Sequence, residues 1–318
     1  MSYIWNYSDP YEYVRRVEAD DLPPLIITVA ITGGNAGKER NPNIPETIEE
    51  QIKSTYEAYK AGASSVHIHA RDDTGAETST DPEKYRELNR GIREMCPDII
   101  IGNTTGASPW GSRDEAVKIL DAQPEMCSLN MGPFVVNTLQ KRREPPLKGR
   151  PQDIQRDDVL LATWKDIERI AKIALERDIK PELEIYNASM LWNVQRLIRE
   201  NLIKKPYWME LIFARGFEFP TPRGLAEMVE RVPQDSLWSV IAVGAHQLPL
   251  TTMAILMGGH VRVGFEDNLF YRKGELVKSN AQLVERVVRI ATELERKIAT
   301  PAQAREMLGI SQTPKQFA

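Results

Sequence analysis

The feature of this sequence that most constrains its fold is a rhythm. From residue 24 onward, short β-branched runs alternate with longer amphipathic stretches. The runs are 24–32 (PLIITVAIT), 65–70 (SVHIHA), 98–104 (DIIIGNT), 125–131 (EMCSLNM), 182–186 (ELEIY), 207–213 (YWMELIF), 237–243 (LWSVIAV) and 261–265 (VRVGF). Each is short and apolar on both faces, as a strand inside a covered parallel sheet must be. The stretches between them read as helices: 46–61, 164–177, 187–199, 221–230, 249–257 and 280–297. Asp81 and Ser112 read as N-caps, each with proline or acidic residues just inside the first turn. βα units cross over right-handed into one sheet, and eight of them close most economically as an α/β fold of the (β/α)8 TIM-barrel type. A doubly wound sheet is the alternative, but it needs five or six units rather than eight.

Two segments lie outside the rhythm. Residues 1–23 form an N-terminal extension carrying Tyr3, Trp5, Tyr7, Tyr11 and Tyr13. So aromatic a segment is expected to pack on the barrel or on a neighbouring subunit. The catalytic barrel domain would occupy 24–310, with 311–318 as a C-terminal tail. The longest connection, 133–163, carries Lys141, Arg142, Arg143, Lys148 and Arg150, and it follows a strand's C-terminal end. In a barrel that is the catalytic mouth.

Composition narrows the function. The 318 residues carry a formal net charge of −4, which argues against a nucleic-acid-coating or polybasic membrane-binding protein. No apolar run reaches the roughly 18 residues of a membrane span, and the N-terminus lacks the pattern of a secretory signal. Two cysteines, Cys96 and Cys127, make no disulfide framework, so a cytoplasmic location is expected. Histidine is scarce at four residues, yet His67 and His69 stand two apart inside one run. Side chains at i and i+2 leave a strand on the same face, here the barrel interior. Two neutral imidazoles so placed suit a divalent metal, Zn²⁺ above others. The plainer alternative is a pair of hydrogen-bonded core histidines, an awkward way to fill a core.

The eighth run ends in Arg262, Glu266 and Asp267, charged side chains that need partners or a ligand at a barrel mouth. Glu266 is the natural third metal ligand, giving a His2Glu set with open positions. Asp267, paired with Arg262, could act as a general base. An interior salt-bridge cluster is the competing account. Asn35, Thr104, Ser128, Asn130, Glu182 and Glu184 sit on or just after other strands and would face the same mouth. Arg71, directly after the histidines, could hold an anionic group. His246 could reach the mouth, whereas His260, at the start of its strand, reads as structural.

Residues 24–34 (PLIITVAITGG), 62–69 (GASSVHIH), 124–130 (PEMCSLN), 258–268 (GGHVRVGFEDN) and 279–284 (SNAQLV) closely resemble the β-keto acid cleavage enzymes. The resemblance runs from about residue 22 to 310. It implies a barrel assembled as a homotetramer, with zinc held by His67, His69 and Glu266. It carries over Arg262 and Asp267 as a pair supporting deprotonation of acetyl-CoA, and Thr104 and Ser128 as hydrogen-bonding hydroxyls. A family glutamate falls at Asn35, which can carry no charge, and Glu184 matches a glutamate near the substrate's variable end. The implied reaction is acyl exchange: a β-keto acid and acetyl-CoA, the co-substrate, give acetoacetate and a new acyl-CoA thioester. The partners are then small molecules, not nucleic acid or membrane. Lys141, Arg142 and Arg143 are candidates for the CoA phosphates, unless they form a solvated face. A metal-dependent carbon–carbon lyase or aldolase without CoA exchange, and a non-enzymatic metal-binding protein, are the rival readings.

Overall fold

The eight β-branched runs pair edge to edge until the sheet meets itself. In a computed structural model describing residues 3–106 and 113–317, strands β1 (Ile27–Ala30), β2 (Ser65–Ile68), β3 (Ile100–Asn103), β4 (Met126–Asn130), β7 (Lys180–Ile185), β8 (Tyr207–Phe213), β9 (Ser236–Ala242) and β10 (His260–Val263) form a closed parallel barrel. β1 closes the ring by pairing with both β2 and β10, placing Ala30 opposite His67 and Thr28 opposite Arg262. The expected TIM barrel is the observed architecture.

Helices α2 (Ile48–Ala61), α3 (Pro82–Met95), α4 (Arg113–Lys118), α5 (Trp164–Glu176), α6 (Leu191–Arg199), α7 (Pro222–Val229), α8 (Gln247–Leu256) and α9 (Asn280–Glu293) follow the barrel strands, and α10 (Pro301–Leu308) comes after α9. Their starts are chemical. Thr47 and Glu50 form a reciprocal capping box on α2, as Thr163 and Asp166 do on α5, and Asp81 accepts from the Glu83 N–H ahead of α3. Ser112 lies outside the described residues. α9 stops four residues short of the expected 297, because Arg296 turns inward. Its guanidinium donates to the carbonyls of Pro23, Ile255, Gly258 and Gly259 and is buried among them.

Alternation along each strand sorts side chains into two cores. Outward residues such as Ile27, Val29, Ile68, Ile101 and Leu129 meet the helices in the larger cluster. Inward residues at the N-terminal end (Ile26, Ile100, Met126, Trp208 and Leu237) pack with α10 into a second cluster that closes the barrel floor. Above that floor the inward positions turn polar. The N-terminal segment, including α1 (Pro10–Glu18), packs at this same end. Trp5 is 7% exposed, its ring stands 4.5 Å from Tyr7, and Tyr7 stands 5.6 Å from Trp238. Gly259 admits this arrangement, since a Cβ there would lie 2.2 Å from the Trp238 ring.

The 133–163 connection is more ordered than its sequence suggested. It forms an antiparallel hairpin, β5 (Phe134–Gln140) with β6 (Ile154–Leu160), at the mouth. Its tip folds back on the first two βα loops: Arg143 bonds Glu39 and Glu46 of the first, and Arg150 bonds Glu39 and, in the second, Glu77. A smaller hairpin, β11 (Phe270–Arg272) with β12 (Glu275–Leu276), follows β10. Among the described residues no helix is long and apolar enough to cross a membrane.

At the foot of β7, Lys180 is 6% exposed and its Nζ donates to the Lys204 carbonyl. It makes no ion pair among the described residues, and burial brings its pKa down to about 8. The unfolded chain, with an ordinary lysine, binds the proton more tightly, so the folded state carries the cost at neutral pH and sheds it as pH rises past 8. Lys180→Met removes that cost, of order 3 kcal/mol at most. In thermal melts its stability gain over the parent should be larger at pH 7 than at pH 9.5; equal gains at both would mean that Lys180 is not strained by burial.

Candidate metal centre and active site

Period-two geometry delivers the histidines as a pair. His67, on β2, and His69, just beyond its end, are both buried, with their Nε2 atoms facing each other at 3.3 Å. The turn after β10 brings Glu266 over them, with Oε1 3.4 Å from His69 Nε2 and Oε2 3.8 Å from His67 Nε2. Four-coordinate zinc, with bonds of about 2.0–2.1 Å, sets its ligand atoms roughly 3.3–3.4 Å apart. The facing histidine nitrogens stand one such spacing apart, and the Glu266 carboxylate approaches each of them through a different oxygen. Glu266 Oε2 is buried without a hydrogen-bond partner among the described residues. Two facing ring nitrogens and a carboxylate fit a divalent metal ion well. Gly33 makes room for Glu266, because a Cβ at that position would fall 2.5 Å from Glu266 Cγ.

The first histidine has a brace of its own. Glu182 Oε2 lies 3.3 Å from His67 Nδ1, where it accepts that ring N–H and leaves Nε2 as a lone-pair donor to the centre. His69 Nδ1 has no such partner among the described residues. The two rings differ electrically in step with this. For His67, burial lowers the pKa, but Glu266 and Glu182 outweigh it and the net shift is upward. For His69, burial dominates and the shift is downward, which favours the neutral ring a metal needs.

Arg262 organises the acids. Its Nε donates to Asp267 Oδ2 and its Nη2 to Asp267 Oδ1, both at 3.0 Å, and Nη2 also reaches Glu266 Oε1 at 2.6 Å. Nη1 stands 4.0 Å from Glu184 and 3.9 Å from Glu210. The two neighbouring acids respond in opposite ways. Burial would raise Glu266, but Arg262 and the two histidines hold it well below the usual carboxylate range. For Asp267 burial prevails over Arg262 and lifts its pKa above the ordinary value. Glu266 is thus a fixed anion suited to ligation, and Asp267 a stronger base. Deeper inside, burial and Glu182 push Glu210 toward its neutral form.

A cleft of about 330 Å³ opens over this centre. Asn35, Thr104, Asn130, Glu184, His69, Arg262, Glu266 and Asp267 all line it. Thr104 Oγ1 accepts from the Gly106 N–H, and its own O–H donates to no partner among the described residues. Asn130 Nδ2 donates to Glu184 and to the Tyr186 hydroxyl, so it offers the cleft its Oδ1 acceptor. Ser128 lies below the lining. Its Oγ accepts from the Thr105 N–H at 2.8 Å and shapes the turn carrying Thr104.

Other expectations change in the structure. Arg71 does not reach the cleft: it is buried, and its guanidinium donates to Thr32 Oγ1, the Ala36 carbonyl and the Gly75 carbonyl. The candidate phosphate cluster is neutralised, with Arg143 buried on Glu39 and Glu46, Lys141 paired to Asp153 and Arg142 to Glu144. His246 sits half-buried on a 3-10 turn outside the lining. His260 is structural, its Nδ1 accepting from the Ile26 N–H at the barrel floor. Glu210 escaped the sequence reading, although a lone acid in the apolar run YWMELIF was a usable signal.

Comparison with known proteins gives this geometry a family. The family model described as beta-keto acid cleavage enzyme matches residues 24–310. The chain is 40% identical over 290 residues to a 3-keto-5-aminohexanoate cleavage enzyme of Fusobacterium nucleatum, covering 91% of this chain and 99% of that one. It is 31% identical to a 3-oxoadipate:acetyl-CoA acetyltransferase of Cupriavidus necator, covering 90% and 95%. Among solved structures, a ternary complex of ObcA with a C4-CoA adduct and oxalate superposes with a TM-score of 0.67 at 20% identity, over 86% of this chain and 69% of that one, a likeness of fold. The chain belongs to the beta-keto acid cleavage enzyme family.

Proposed function

We propose that this protein catalyses acyl exchange between a β-keto acid and acetyl-CoA, giving acetoacetate and a new acyl-CoA, with Zn²⁺ held by His67, His69 and Glu266. The observation that carries this reading is the juxtaposition in one cleft of a three-donor set spaced at 3.3, 3.4 and 3.8 Å with the Arg262–Asp267 pair. Relatives named for acetyl-CoA-dependent and keto-acid cleavage reactions support it.

Atom balance decides which proton moves. Acetoacetate keeps C1 and C2 of the keto acid and gains an acetyl group. The bond broken is therefore C2–C3, and the bond formed joins C2 to the acetyl carbonyl carbon. A carbanion made on acetyl-CoA would instead join the acetyl methyl to C3, which does not lead to these products. Deprotonation of acetyl-CoA, which the family resemblance implies, is therefore replaced by deprotonation of the keto acid. Asp267, oriented by two bonds from Arg262, takes a proton from C2 of the keto acid. C2 then attacks the thioester carbonyl and CoA thiolate departs. The thiolate adds to C3, the C2–C3 bond breaks, and C2 recovers its proton from Asp267. The Thr104 hydroxyl, which lines the cleft, donates to oxygen that gains charge on the way. When bound, Zn²⁺ supplies Lewis-acid polarisation of the keto group, an effect of about several kcal/mol.

A reducing cytoplasm suits two buried, unbridged cysteines, and a homotetramer completes the proposal. The reading is tested by incubating metal-loaded protein with a β-keto acid and acetyl-CoA and assaying acetoacetate. Cleavage that proceeds without acetyl-CoA would replace it with a lyase. Glu266→Ala should lose bound zinc and activity together, whereas Asp267→Asn should keep zinc, measured by atomic absorption, and lose turnover. A fully active Asp267→Asn protein would remove Asp267 as the base. Glu182→Gln should weaken zinc binding about 10–100-fold in a chelator competition while circular dichroism stays unchanged, since the brace on His67 loses its charge. Unaltered affinity would show that Glu182 does not orient the ligand.

A further inference from the structure

We propose that the cleft selects β-keto acids whose variable end, beyond C3, is apolar; this rests on the acyl-exchange reading above. An ammonium on that end would need a free carboxylate, and none of the nearby acids is free. Glu184 is 7% exposed, and its Oε2 already accepts from Asn130 Nδ2 and from the Tyr186 hydroxyl at 2.9 Å. Its Oε1 faces Arg262 Nη1 at 4.0 Å. Glu182 is committed to His67 and Glu210 is sealed inside the barrel, both at 0% exposure. Asn35, at the opposite lip, is neutral. Glu182 and Glu184 are internal struts.

What the cleft offers across from the reacting groups is a hydrocarbon wall. Phe134 stacks on Tyr186 at 3.9 Å, and Phe217 packs edge-on to Phe134 and Tyr186 at 5.3 and 4.8 Å. With its hydroxyl turned onto Glu184, Tyr186 presents its ring. Ile212, Ile241 and Val243 continue the wall along the next two strands. A substrate held by its reacting end at Glu266 and Asp267 lays its tail against this surface. An alkyl tail gains burial there, whereas a charged tail loses water without finding a partner.

Positive charge at the margins works against an ammonium as well. Arg215, on the loop after β8, is exposed, lines the cleft rim and makes no ion pair among the described residues. Arg113 feels the charge of Glu184 from outside the lining and is tied to the Thr105 carbonyl. A carboxylate tail long enough to reach Arg215 is the nearest competitor, and the test is built to separate the two.

Three freshly prepared six-carbon acids differ at the tail alone: 3-oxohexanoate, 3-oxo-5-aminohexanoate and 3-oxoadipate. With zinc-loaded protein and acetyl-CoA, kcat/KM for 3-oxohexanoate should exceed that of each charged acid by about tenfold or more, the discrimination expected when a charge must be desolvated without a partner. Equal or higher kcat/KM for the amino acid would overturn the inference and show that Glu184 is released to bind it. Equal or higher kcat/KM for 3-oxoadipate would overturn it in favour of Arg215 as a carboxylate reader. Both outcomes leave acyl exchange standing. Absence of acetoacetate from all three acids would instead overturn acyl exchange, and the selectivity with it.

Discussion

The interaction on which the rest of this structure depends is the fan of contacts made by Arg262 inside the barrel. One guanidinium, 3% exposed, stands among Asp267, Glu266, Glu184 and Glu210. So many acids in a low-dielectric interior would repel one another and drift toward their neutral forms without a central cation. With it, the acids divide into distinct chemical types. Glu266, which also faces two imidazoles, stays ionised and available as a ligand. Asp267, more deeply buried, becomes the better proton acceptor. Glu210 is held toward neutrality beneath them. Adjacent residues of the same charge thus acquire separate roles from where each sits around one arginine.

A polar interior needs support from elsewhere. TIM barrels usually fill their centres with bulky apolar layers. Here that filling is confined to the floor, where Ile26, Ile100, Met126, Trp208 and Leu237 pack with α10. Ionic ties also hold the mouth. Arg143 and Arg150 of the hairpin tip are buried against Glu39 and Glu46 of the first βα loop, and Arg71 ties that loop to the turn after β2. Because Asn35 and Gly33 belong to this loop, the hairpin indirectly fixes the lip of the cleft and the backbone under Glu266.

The sequence made local and periodic facts legible. Alternating runs foretold the barrel, and the i, i+2 spacing of His67 and His69 foretold a shared face. Less visible was anything that depends on which distant side chain arrives as a partner. Arg71 and Arg143 both looked like ligand-binding cations, but one meets backbone carbonyls and the other meets acids about a hundred residues earlier, at separations of 104 and 97. The hairpin was hidden for a related reason. Its strands alternate partly buried and exposed residues without a strong apolar face, so the pattern is weak until the ribbon is pinned at its tip. Glu182 and Glu184 looked equivalent, two residues apart on β7; contacts with His67 and Tyr186 make them different.

Asp267, set by Arg262, is proposed to deprotonate the keto acid at C2, which leaves the acetyl methyl untouched. Acetyl-CoA carrying a fully deuterated methyl group tests this directly, with the acetoacetate formed at early turnover analysed by mass spectrometry. Deprotonation at C2 should give acetoacetate that retains every methyl deuteron. Loss of deuterium from that methyl to solvent beyond the uncatalysed rate would place the enzyme's base on acetyl-CoA and contradict it.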